Sequence, residues 1–136
     1  MATYEDLFNA SEEEREEMSD EELLNIGLRV ASDHLEKLGH GVLGFEQLAD
    51  GDRGVRFMHE GGEALCFVVV ARYPRPPEIT ATKPRPNVPK STKQFVLGIT
   101  FAHELDAFDP EDTVGMKLMR GFGVLPKIYD LLLIQS

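Results

Sequence analysis

The stretch that most limits this chain is YPRPPEITATKPRPNVPKS, residues 73–91, which holds six of its eight prolines. Proline fixes φ and has no N–H to donate, so such density excludes a helix interior or a central strand. An extended loop or arm is expected there, with regular structure confined to either side. Extended to residue 93, the segment carries Arg75, Lys83, Arg85, Lys90 and Lys93 against Glu78, a net charge of +4. It reads either as a docking arm for a partner or nucleic acid, or as a long connection kept soluble by its charges. The second reading is favoured.

The chain before it opens acidic. Residues 1–25 hold ten acids and Arg15, a net of −9, out of −10 for all 136 residues; the remaining 111 carry −1. A body so close to neutral is a poor candidate for strong non-specific DNA binding, which needs several phosphate-neutralising bases. The acidic run Glu12–Glu22 could meet a basic partner, but a solvated helix face is the commoner meaning. Ser11–Glu14 and Ser19–Glu22 both fit the capping box, in which serine and glutamate satisfy each other's backbone N–H. Leu23, Leu24, Ile26, Val30, Ala31, His34, Leu35 and Leu38 then recur with helical spacing up to Gly39, so a helix is expected over 20–38. Residues 1–19 are taken as an acidic extension and 20–136 as one domain.

A meander follows: strands over 40–48 and 54–60, a hairpin at Gly61-Gly62, and a third strand over 63–73. Within that strand, CFVVVA carries no charge and reads as one buried run leading out into a polar turn. Beyond the prolines, 91–105 is ambiguous. Phe95, Ile99, Ala102 and Leu105 suit a helix, while Val96, Ile99 and Thr100 are β-branched and Gly98 weakens a helix. Asp109-Pro110-Glu111-Asp112 has the form of a helix start, with Gly121 as its stop, and 127–136 reads as a final strand. Val114, Met116, Leu118 and Met119 fit the core of that later helix.

One domain of this size buries about two-thirds of its unfolded surface. The single cysteine, Cys66, allows no intrachain disulfide and reads as a small buried hydrophobe. No apolar run approaches the ~18–20 residues that span a bilayer, and the N-terminus lacks the features of a secretion signal. A cytoplasmic protein with no membrane span is expected.

Four segments, VASDHLEKLGHGVL, DRGVRFMHEGGEALCFVVVARYPR, VPKSTKQ and KIYDLLLI, together resemble the small bacterial YraN-like family. Its members have no characterised role and carry the restriction-endonuclease-like PD-(D/E)XK fold. Leu35 and Gly39 match the end of the family's helix, Phe67-Val68 its strand Phe-Val-Glu-Val-Lys, Lys93-Gln94 its next helix, and Tyr129-Asp130 its last strand. The outline covers residues 23–134. The resemblance implies an α/β domain with a restriction-endonuclease-like core, a mixed central sheet flanked by helices, in the order helix, three strands, helix, second helix, strand. It also tips 91–105 towards helix.

In the same alignment every signature position of the nuclease site is substituted. Leu28 stands for the helix glutamate, Gly54 for the glutamate of Gly-Glu, Arg56 for the aspartate, Val69 for the strand glutamate and Ala71 for the lysine. Such carboxylates would hold the divalent metal that activates water and stabilises phosphate charge. Valine and alanine cannot do this, and Arg56 puts a cation where the metal would sit. No catalytic residue, metal or cofactor is therefore expected. The chain reads as a nuclease-like scaffold without its chemistry, more a binding module than an enzyme.

A relocated site could draw on Glu46, His59, Glu60, Glu63 or His103-Glu104, but Ala107 removes the second histidine of a zinc-binding helix. The binding candidates are Arg53, Arg56, Arg72, Arg75, Lys83 and Arg85. Arg53, Arg56 and Arg72 could form a cationic patch, or Arg56 could pair with Glu46 or Glu63. The partners envisaged are a protein, a weak nucleic-acid contact, or a second copy joined through a sheet edge.

Overall fold

The computed structural model describes residues 16–48, 51–79, 83–86, 88–104, 117–120 and 123–135. One helix, α1 (Asp20–Lys37), precedes five strands: β1 (Gly41–Gln47), β2 (Arg53–His59), β3 (Gly62–Arg72), β4 (Lys93–His103) and β5 (Val124–Gln135). They form one mixed sheet in the order β1-β2-β3-β4-β5. All neighbours are antiparallel except β3 and β4, which are parallel. Among these residues no helix is long and apolar enough to cross a membrane.

α1 forms where the acidic capping box places it. Ser19 Oγ accepts from Glu22 N–H at 3.1 Å, and Glu22 Oε1 accepts from Ser19 N–H at 3.2 Å. Three acids in the first turn face the positive end of the helix dipole. At the other end Gly39 adopts φ +92°, and His40 N–H donates to Leu35 C=O at 3.0 Å, closing a Schellman turn that favours glycine. Leu23, Gly27, Leu28, Ala31 and Leu35 face inwards. A Cβ on Gly27 would come within 2.8 Å of Val70, which is how closely the helix lies on β3.

Side chains alternate across the sheet with period two. Val55, Phe57, Ala64, Cys66, Val68, Phe95, Leu97, Ile99 and Phe101 pack with α1 in the main core. Leu65 and Phe67 point the other way, against Val88 of the proline segment, with Leu48 and Ile134 beside them. β3 is therefore covered on both faces. That explains the uncharged run through its centre, and burial raises the Cys66 thiol pKa to about 12.

Three expectations change. Residues 93–103 are a strand, not the helix favoured by the resemblance: β4 is buried on both faces, so its apolar residues run continuously and imitate a helix. The parallel crossover from β3 to β4 is the proline segment itself, not a helix. The hairpin turns at Glu60-Gly61, with φ of +50° and +81°, one residue earlier than Gly61-Gly62; two positive φ values are what a two-residue turn of matching twist requires.

The helix start at residues 109–112 lies outside the described residues. Residues 117–120, expected at that helix's end, are not helical. They run beside residues 16–18, with Met18 N–H donating to Leu118 C=O and Arg120 N–H to Glu16 C=O, both at 2.8 Å. Residues 16–18, the end of the expected acidic extension, thus lie against residues 118–120. The Ser11 capping box also lies outside the described residues.

Candidate functional site

The five positions that the resemblance aligns with signature residues do not converge. Gly54 and Arg56 sit opposite Phe67 and Leu65, so both face the proline crossover, as do Val69 and Ala71 two and four residues on. Leu28 is buried in the core on the opposite side of the sheet. Position 54 has no room for a carboxylate: a Cβ there would lie 2.8 Å from the Cys66 carbonyl oxygen. Beside Val69 the surface is closed by the crossover, because Pro77 and Ile79 press onto Gly98, the β4 neighbour of Val69.

Among the described residues three clefts lie on this side: one of about 440 Å³ within the crossover, lined by Arg85, Val88, Lys90, Thr92 and Gln94, and two beside the aligned positions. The smaller of these two, about 140 Å³, is lined by Glu46, Leu48, Arg56, Glu63, Val88 and Thr92. Arg56 lies between two carboxylates, Nη2 3.1 Å from Glu63 Oε1 and Nε 3.7 Å from Glu46 Oε2. The larger, about 350 Å³, opens at the end of β3 between Val69, Ala71, Asp20, Arg72, Arg75 and Glu78. The aligned site is thus split between a neutralised arginine and a shallow mixed-charge cleft.

The expected cationic patch is divided by the same alternation. Arg53 and Arg72 lie on the helix side. Arg53 donates to Asn25 Oδ1 at 2.7 Å and lies 3.6 Å from Glu21. Arg72 donates to the Met18 carbonyl at 2.6 Å and to Asp20 at 3.2 Å. Arg85, on the crossover side, bonds Asp52 and lays its guanidinium 4.4 Å over the Phe67 ring. Arg75 and Lys83 are exposed on the crossover.

Sequence reasoning missed what holds the crossover down. Gln94 accepts from Arg85 N–H at 2.7 Å and donates to Arg85 C=O at 3.0 Å, an amide clamp on one residue. Thr100 Oγ1 donates to Arg75 C=O at 2.8 Å. A proline-rich chain makes few hydrogen bonds of its own, here isolated turns such as Thr92 N–H to Pro89 C=O, so polar side chains on the next strand, Gln94 and Thr100, were the available signal.

The candidate ligands for a relocated site are dispersed. Glu46 and Glu63 serve Arg56, and Glu60 sits at the hairpin 3.9 Å from Lys93. His59 packs among the rings of Phe57, Phe95 and His40, with its Nδ1 buried and without a partner. His103 is buried at the end of β4. Among the described residues no three His, Cys, Asp or Glu side chains are grouped so as to hold a metal ion. Comparison with known proteins returns no matching family model, no matching curated protein and no matching solved structure.

Proposed function

We propose that this chain is a non-catalytic protein-binding module on a restriction-endonuclease-like scaffold, its former catalytic face closed by its own proline crossover. The observation that carries the reading is Arg56 held between Glu46 and Glu63, at the position aligned with the metal-binding aspartate. The helix-first order and the parallel β3–β4 pair support the scaffold, since parallel neighbours need a crossover of the kind the resemblance supplies with a helix. The crossover itself departs from that pattern.

A protein partner is favoured over nucleic acid by how the cations are used. Arg53, Arg56, Arg72, Arg85, Lys93 and Arg120 each lie within ion-pair distance of a carboxylate of the same chain. A base already matched by an acid releases few counterions from a phosphate backbone. Leu43 and Phe45, by contrast, stand out from edge strand β1.

The test is a magnesium- and manganese-dependent cleavage assay on branched, single-stranded and duplex DNA, paired with fluorescence polarisation at physiological salt. The expectation is no cutting, and DNA affinity weaker than the roughly 10⁻⁴–10⁻⁶ M of ordinary non-specific binders. Cutting abolished by Glu46→Ala or Glu63→Ala would establish instead a divalent-metal nuclease with a displaced site. Tight, salt-sensitive DNA binding lost with Arg75, Lys83 and Lys90 would move the assignment to a nucleic-acid module.

A further inference from the structure

The far edge of the sheet carries a second feature, independent of the cleft. β5 is a twelve-residue edge strand, paired on one side with β4, with no described strand on the other. It exposes Leu125, Leu132 and Leu133 at 40%, 45% and 49%. A long apolar edge of this kind is a template for pairing with another chain. Its only charges are Lys127 and Asp130, with Pro126 beside them.

The register against β4 shows how such a strand can pair with itself. β4 runs uninterrupted along β3, but three steps on β5, from Ile128 to Leu131, span two on β4, from Ile99 to Leu97. One extra residue in β5 therefore switches the alternation. Val124, Pro126 and Ile128 share the helix face with Leu131 and Leu133, while Leu125 and Lys127 share the crossover face with Leu132 and, by period two, Asp130.

In an antiparallel pair centred between residues 128 and 129, position 124 meets 133, 125 meets 132, 126 meets 131 and 127 meets 130 of the second copy. In an unbulged strand every such pair would fall on opposite faces. With the extra residue each of these pairs falls on one face, as a continuous sheet with a two-fold axis requires.

The backbone agrees. Phe101 C=O accepts from Tyr73 N–H on the β3 side, so Pro126, opposite Phe101, turns its backbone towards the free edge. By the same alternation Val124, Leu131 and Leu133 also turn outwards. In this register outward residues meet outward residues: Val124 exchanges two hydrogen bonds with Leu133 of the second copy, and the Pro126 carbonyl accepts from Leu131 N–H. Proline's missing donor leaves the Leu131 carbonyl unmatched.

We infer that two copies of this chain pair antiparallel along β5, making one ten-stranded sheet, with Lys127 of each copy opposite Asp130 of the other. The exposed leucines cover one another, Leu125 against Leu132, and the two opposite-charge pairs set the register. Edge strand β1 offers no such self-match, since its one charged residue, Glu46, would meet only uncharged positions or itself.

Sedimentation equilibrium on the full chain tests this across about 1–100 μM. The expected result is a mass twice that of the chain, with Asp130→Lys or Lys127→Asp alone weakening association at least about tenfold, the scale of 1.4 kcal/mol. The double swap Lys127→Asp/Asp130→Lys restores the opposite pairs and the dimer. Circular dichroism of each variant, unchanged at these exposed sites, separates lost pairing from lost folding. A monomer throughout the range overturns the inference. So does a dimer indifferent to either single reversal, or one that the double swap does not restore.

Discussion

The two faces of the sheet are covered by opposite means. On one, α1 supplies its own backbone hydrogen bonds and lays an apolar stripe on β1–β3, so what it adds is close packing around Phe57, Leu97 and Phe101. On the other, a chain with only isolated turn bonds of its own, such as Thr92 N–H to Pro89 C=O, is tied down residue by residue: Gln94 to Arg85, Thr100 to Arg75, Asp52 to Arg85, and Pro77 with Ile79 seated on Gly98. A helix brings its order with it, whereas a proline crossover borrows order from the strands beneath. The helix face should therefore respond to lost volume, and the crossover face to lost clamps and lost clearance.

The largest effect expected is on the helix face. Phe57 is fully buried, and Phe57→Ala should cost about 3–5 kcal/mol, read as a lower urea midpoint. A cost near that of a surface change would mean that α1 does not organise the core. Next comes Gly98→Ala. Its Cβ would lie 2.5 Å from Pro77 and 2.6 Å from Ile79, so either the crossover lifts or stability falls by about 1–3 kcal/mol. Unchanged stability together with unchanged protease resistance at residues 76–79 would contradict the close seat.

Gln94→Ala removes two hydrogen bonds to Arg85 and should cost about 1 kcal/mol for each. Limited proteolysis sharpens the comparison, since cutting should rise within 83–92 and not within α1. The smallest effect is a pH dependence at the helix start. The Arg120 guanidinium, joined by the Ser19 N–H, holds the Glu22 carboxyl down to about 2 from 4.5. A carboxylate depressed in the folded state favours folding above its ordinary value, and that contribution is lost as pH falls from 4.5 towards 2. Thermal melts of Glu22→Gln should accordingly differ from the parent at neutral pH and converge with it in acid. A constant offset across this range would remove Glu22 as the cause.

Local signals told which parts of the fold are visible in residues alone. Ser19, Glu22 and Gly39 delimit α1 because caps act within one turn, and the meander shows in short alternating runs. β4 was misread because a strand covered on both faces loses its period of two. Position 98 looked like a flaw in a helix and is a clearance for Pro77. For the site, residue identities at 54, 56, 69 and 71 set the expectation of a face without carboxylate ligands, and the pairing of Arg56 with Glu46 or Glu63 is one of the two arrangements the sequence offers. The separation of Arg53 and Arg72 from Arg56 followed from strand alternation once the strand boundaries were known.

By itself, then, the sequence determined α1 with both its ends, the charge asymmetry, and a proline segment that must run extended. Each depends on neighbours a few residues apart, whose energies are local. Tertiary structure decided which face the crossover covers, which acids neutralise which arginines, and how an extra residue in β5 puts Lys127 and Asp130 on one face of the sheet. Those outcomes join residues distant along the chain, and only the stacking of strands brings them within reach of one another.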